Sequence, residues 1–164
     1  MRINDDHMYH GAALTQIAEH ELFTSINAVR FSDRISRSAF RINETIGIYL
    51  KYASKPSGLD YTITFSSENK QEIKKLCKIC NSVFIAMVCV QERQICCLTE
   101  KELDDWFIKR NSKLGNDEDI STILVNLPKG KSFRVNMNLP GRRKRYLDTA
   151  QLIPRKRFPD ILFK

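Results

Sequence analysis

No stretch of about 18 consecutive apolar residues occurs in this chain, so the sequence gives no reason to expect a transmembrane helix. The longest apolar run, Val83 to Val90, has the length of a buried strand. The N-terminal order Met1-Arg2-Ile3-Asn4-Asp5-Asp6-His7 lacks the basic-then-apolar pattern of a secretory signal, and the expected location is the cytoplasm. Neither a Walker-type loop nor a Rossmann G-x-G-x-x-G is present, which argues against nucleotide hydrolysis and dinucleotide redox chemistry. A G-x-S-x-G nucleophile elbow is missing as well. His7, His10 and His20 fall near one another in sequence but without the H-x3-H or H-E-x-x-H spacing of a metal site. No repeat or low-complexity stretch is present.

Cysteine is present but badly arranged for disulfides. There are five, an odd number, and Cys96 and Cys97 are adjacent, which suits a reducing compartment. Cys77 and Cys80 form a C-x2-C pair that invites a zinc reading. Both fall on the apolar stripe of a predicted helix, Cys89 sits in an apolar strand, and neighbours on a strand point to opposite faces. Small buried thiols are the simpler expectation, and zinc is not expected.

What the chain does have is enough core for one domain over residues 1–164, with 42% apolar residues, and a lopsided charge. Residues 1–127 carry 16 Lys/Arg and 17 Asp/Glu, whereas residues 128–164 carry 11 Lys/Arg against only Asp148 and Asp160. The net charge of +8 therefore belongs to the last segment. A near-neutral body with a basic terminal segment has the form of a scaffold carrying an electrostatic docking surface.

Periodicity predicts a helix over Gly11–Leu22, with Leu14, Ile17, Ala18 and Leu22 on one face. Extended pieces follow at Ser25–Val29, Ser38–Ile42 and Ile46–Ala53, then a turn at Lys55-Pro56-Ser57-Gly58. Tyr61–Phe65 alternates and is expected to pair beside its predecessor. Ser66 or Ser67 caps a second helix whose stripe is Ile73, Leu76, Cys77 and Cys80. Val83–Val90, apolar on both faces, reads as a central strand, with Gln94–Leu98 as its hairpin partner. Thr99 and Glu102 make a capping box, and Leu98 with Leu103 a hydrophobic staple, for a third helix. Asn111–Asp119 reads as a polar loop. Thr122–Leu127 and Ser132–Met137 flank a Pro128-Lys129-Gly130-Lys131 hairpin turn, Pro140–Arg145 is a basic turn, and Arg157–Phe163 supplies apolar anchors. The fold class expected is mixed α/β: a central mixed sheet flanked by helices over about 11–110, then the loop at 111–119, then a C-terminal hairpin and basic segment over 120–164.

The order helix, three strands, helix, strand over about residues 11–90 resembles the core of the PD-(D/E)XK nuclease superfamily. That resemblance implies a Mg2+-dependent phosphodiesterase, or a degenerate form that only binds. Glu19 would match the family's helix glutamate, Glu44 its strand-end carboxylate and Lys51 its lysine; Glu19 and Glu44 would hold metal and Lys51 would orient water. The pattern departs at Tyr49, where the family has an acid and this chain has a phenol.

The basic segment points to an anionic partner on its own terms. Lys129, Lys131 and Arg134 surround one hairpin; Arg142, Arg143, Lys144 and Arg145 form a second cluster and Arg155, Lys156 and Arg157 a third. Phe133, Tyr146 and Phe158 are interleaved. Phosphates take spaced cations and bases take aromatic planes, so DNA or RNA is the expected partner. Tyr146 is the stacking candidate, while Phe133 and Phe158 are expected in the core. No amphipathic helix accompanies the cluster at Arg142–Arg145, so a membrane partner is not expected. The alternative is a protein-protein interaction module whose basic tail meets an acidic protein.

Overall fold

The computed structural model describes residues 1–164 except the side chains of Arg143 and Lys144. The N-terminal helix α1 spans Asp5–Ala18, earlier than the apolar period suggests. Its start is fixed by polar chemistry: Asn4 and His7 form a capping box, and Asp5 and Asp6 place negative charge at the positive end of the helix dipole. Strands β1 (Ile26–Phe31), β2 (Arg34–Ile42) and β3 (Ile46–Ala53) then form an antiparallel meander. β1 and β2 run longer than expected because only Ser32 and Asp33 separate them, with Ser32 taking the positive φ that a tight turn requires.

β4 (Asp60–Phe65) leaves this sheet. It does not pair beside β3 as the sequence suggested, but with β7 (Ser121–Asn126) in a second sheet. The physical reason lies in the patterns of the competing strands. β5 (Ser82–Cys89) is apolar on both faces and takes the buried place parallel to β3. β4 alternates core residues with Thr62 and Thr64 and suits a sheet with one open face. Between them, α2 (Ser67–Ile79) makes the crossover. β6 (Gln94–Thr99) returns from β5 as a hairpin, and the first sheet has the order β1-β2-β3-β5-β6.

β5 shows why both of its faces are apolar. Val83, Ile85, Met87 and Cys89 enter the larger core, and Phe84, Ala86 and Val88 enter the smaller one. α1 supplies Ile17 to the smaller core, the C-terminal 3-10 turn Asp160–Phe163 supplies Leu162, and Phe158 just before that turn joins them. The larger core is shared by the first sheet, α2, the third helix α3 (Glu100–Leu114) and the second sheet. α2 packs close to β3: a Cβ at Gly47 would stand 2.8 Å from Leu76 and 3.1 Å from Cys80, so a side chain there would force Leu76 to shift. Cys80 is buried there, but Cys77 is exposed, off the stripe where the sequence reading had put it. The inward stripe of α2 runs instead through Glu72, Ile73 and Leu76.

The capping box of Thr99 and Glu102 starts α3 as expected, and Leu98 and Leu103 are both in the core. The helix runs on to Leu114, into the segment read as a polar loop, and stops where Gly115 adopts the left-handed conformation. Strands β7 and β8 (Phe133–Asn136) form the expected hairpin. Residues read as a basic turn instead form a second hairpin, β9 (Asn138–Leu139) with β10 (Arg142–Tyr146), turning at Gly141. β11 (Gln151–Ile153) completes a second sheet of order β11-β8-β7-β4. The whole is a mixed α+β fold with, among the described residues, three α-helices and eleven strands. No helix among them is long and apolar enough to cross a membrane.

Candidate functional site

The three residues proposed for catalysis do not come together. Glu19 is the C-cap of α1 and Glu44 sits in the turn between β2 and β3, both exposed. That turn belongs to the end of the sheet where Asn43 holds the chain before β1, accepting from the Thr24 backbone at 2.7 Å and donating to the Leu22 carbonyl at 2.8 Å. Lys51 lies near the other end of β3. Six residues separate it from Glu44, five of them in β3, a span of roughly 20 Å.

Lys51 is half-buried on the α2 side of the sheet. Its Nζ donates to Asn69 Oδ1 at 3.0 Å and stands 5.5 Å from the Phe65 ring. Burial lowers its pKa, and the Glu72 carboxylate opposes that shift. Two residues earlier, where the nuclease pattern has an acid, the Tyr49 hydroxyl donates to Glu72 Oε1 at 2.6 Å. Asn69 Nδ2 donates to the same hydroxyl at 3.0 Å, and Arg34 donates to Glu72 Oε2 at 3.3 Å and also pairs with Glu68. Burial first, then the Glu72 carboxylate, raise the Tyr49 pKa well above the ordinary phenol value, so the hydroxyl keeps its proton and acts as a donor.

The phenol and Glu72 thus satisfy each other, and Glu44 is at the far end of the strand. Glu19, Glu44 and Lys51 do not fit a Mg2+ site with a water-orienting lysine. Among the described residues no three His, Cys, Asp or Glu side chains gather as a metal-holding group. Asn69 and Glu72 went unnoticed in the sequence, although a helical wheel puts both beside Ile73 and Leu76 on the inward face of α2.

The basic segment sorts into two groups. Arg155 and Arg157 are committed inside the molecule. Arg155 donates to the carbonyls of Lys131 at 2.5 Å and Pro128 at 2.7 Å, clamping the β7–β8 turn. Arg157 donates to Glu102 at 2.8 Å and to the Cys97 carbonyl at 3.2 Å. Through Glu102 it joins Gln151 and Trp106, so that α3, β6 and β11 are tied together. By contrast, Lys129, Lys131, Arg134, Arg142, Arg145, Lys156 and the terminal Lys164 are exposed, and none is in an ion pair among the described residues. The side chains of Arg143 and Lys144 lie outside the described residues. The segment's two acids are engaged with partners outside it, Asp148 with Lys109 at 3.1 Å and Asp160 with His20 at 3.2 Å.

The second sheet positions Arg134, and the separate β9–β10 hairpin carries Arg142 and Arg145. Ile63, Val125 and Val135 face the core, so Asp60, Thr62 and Thr64 on β4, Asn126 on β7 and Arg134 on β8 face outward. Asp60, Asn126 and Arg134 stand in one cross-strand row. The β9–β10 hairpin folds back over this face. Asn136 anchors it, donating to the Asp148 carbonyl at 2.7 Å, and Arg110 donates to the Asn138 carbonyl at 2.5 Å. At the end of β10 the Tyr146 hydroxyl donates to Asp60 at 2.8 Å. Partial burial, then the hydrogen bond to Asp60, raise the Tyr146 pKa and keep that donor protonated. Phe133 and Phe158 are in the core, as expected, and Tyr146 is 49% exposed. A cleft of about 410 Å3 opens beside the hairpin tip, lined by Arg110, Glu118, Thr122, Leu139 and Arg142 among others.

Fold and surface together define a mixed α+β protein whose second sheet carries a hairpin across its outer face, with exposed cations on that sheet, its turn and the hairpin. Comparison with family models, curated proteins and solved structures gives no match to this chain.

Proposed function

We propose that this chain binds nucleic acid, DNA or RNA, through the outer face of the second sheet and its β9–β10 hairpin. The observation that carries the reading is the unspent charge. Seven described cations of the segment are exposed without an acidic partner among the described residues, while Asp148 and Asp160 are occupied elsewhere. A surface of that kind lowers its own repulsion by contacting a polyanion and releasing the counterions condensed on it. The reading is one of binding, since Lys51 stands at the far end of β3 from Glu44.

The test is the salt dependence of affinity. For duplex DNA, log K against log salt concentration should fall with a slope of about −0.9 per phosphate contact. Changing Arg134, Arg142 and Arg145 together to Ala should weaken binding and flatten the slope by about 2 to 3 units for duplex, somewhat less for single strands. A flat salt response in the wild-type protein, or a triple variant that binds as the wild type does, overturns the proposal. So does tighter binding to an acidic polypeptide than to an oligonucleotide of equal charge.

A further inference from the structure

We infer that the ligand is single-stranded nucleic acid, with one base stacked on the Tyr146 ring; this rests on the nucleic-acid reading above. Tyr146 is half exposed, yet its hydroxyl is held by Asp60 on the far strand of the sheet. The ring is therefore tethered at both ends, by its backbone in β10 and by its oxygen, and little rotamer freedom remains to be lost when a base stacks on it.

The surroundings suit exposed bases. Thr62 and Thr64 are exposed on the same face, and hydroxyls both donate and accept towards base edges. Arg134 stands two strands from Asp60 in the same row, about 10 Å away, within reach of a neighbouring phosphate. Arg142 and Arg145 add positive charge from the hairpin. Charge complementarity selects a polyanion, and the tethered ring selects one whose bases are unpaired, because every base presents a π face once it leaves a duplex.

A duplex offers this face less. Its bases are stacked inside, and reading its major groove takes a helix or a β-ribbon that projects into it. The β9–β10 hairpin is a ribbon, but it is pinned down onto the molecule by the Tyr146–Asp60 and Arg110–Asn138 hydrogen bonds.

The experiment is fluorescence anisotropy with labelled single strands of about 20 nucleotides, DNA and RNA, and the corresponding DNA duplex, at about 0.1 M salt. At least one single strand should bind about tenfold or more tighter than the duplex. Tyr146→Ala should cost that single strand about tenfold and the duplex less than about twofold, whereas Tyr146→Phe, which keeps the ring, should stay within about threefold of wild type. A thermal melt of each variant confirms that the fold is retained. The inference is overturned if the duplex binds as tightly as both single strands, or if Tyr146→Ala weakens single strand and duplex alike. Should the triple arginine variant lose affinity for all probes while Tyr146→Ala matches wild type, the stacking inference falls and the nucleic-acid reading stands. If the wild-type protein binds none of the probes, both fall.

Discussion

At the scale of single residues, the most telling position is Tyr49. A phenol with 0% exposure, donating to a Glu72 carboxylate that is 7% exposed, is a buried polar pair whose members each need the other. Removing one partner leaves the other desolvated and short of a hydrogen bond, and Asn69 loses an acceptor too. Tyr49→Phe should therefore cost about 1–3 kcal/mol in urea unfolding. Replacing both partners by apolar groups removes the orphan as well as the bond, so the double variant Tyr49→Phe with Glu72→Leu should lose less than the two single losses added together. Additive losses in that double-mutant cycle would remove the pair as a coupled unit. The same residues mark the limit of the sequence reading. Its search for an acid followed β3, two residues before Lys51, whereas the acid that meets Tyr49 arrives from α2. Linear spacing along one strand does not register a side chain delivered by another element, even though the inward position of Glu72 was written in the period of its own helix.

At the scale of elements, patterns with a built-in stop or start were legible and those needing a distant partner were not. The boundaries of β3 and the capping box of α3 follow from local residues and match the structure. The alternation of β4 correctly separated a core face from a threonine face, but it could not name the neighbouring strand, which lies 58 residues further on at the Thr64–Thr122 contact. Apolar period alone places α1 too late, because its start is set by the Asn4–His7 cap, and polar composition alone ends α3 too early, because its stop is Gly115. The basic segment makes the same point: charge located it, but only structure separates clamps from docking groups. Arg155 holds the two carbonyls of the β7–β8 turn, so Arg155→Ala should lower stability by about 1–2 kcal/mol. Its effect on oligonucleotide affinity, measured below the melting transition, should be under about twofold, against a larger loss for Arg142→Ala. Equal affinity losses for the two variants would reverse that division of roles.

At the scale of the whole molecule, the charge distribution that the sequence announced persists after folding and makes a prediction about the free protein. Residues 128–164 carry 11 cationic side chains and two acids, and seven of the cations stay exposed without an acidic partner among the described residues. Cations held within a Debye length of one another, about 10 Å at 0.1 M salt, repel in the folded state and separate on unfolding. Of the ion pairs that work in the opposite direction, Arg34–Glu68, Lys101–Asp105 and Lys109–Asp148 are exposed on both sides, and pairs of that kind contribute about 0–1 kcal/mol each. Screening should then relieve more repulsion than it removes attraction. The thermal midpoint of the ligand-free protein should rise by a few degrees between about 0.02 and 0.3 M sodium chloride, a gain of about 1 kcal/mol, and the rise should shrink when Arg134, Arg142 and Arg145 are replaced by Gln. Chloride suits this measurement because it screens without the strong exclusion effects of sulfate or phosphate. A midpoint that falls with salt would mean that the surface pairs outweigh the repulsion, that the cations are less crowded than their sequence positions suggest, and that a polyanion has correspondingly little strain to relieve.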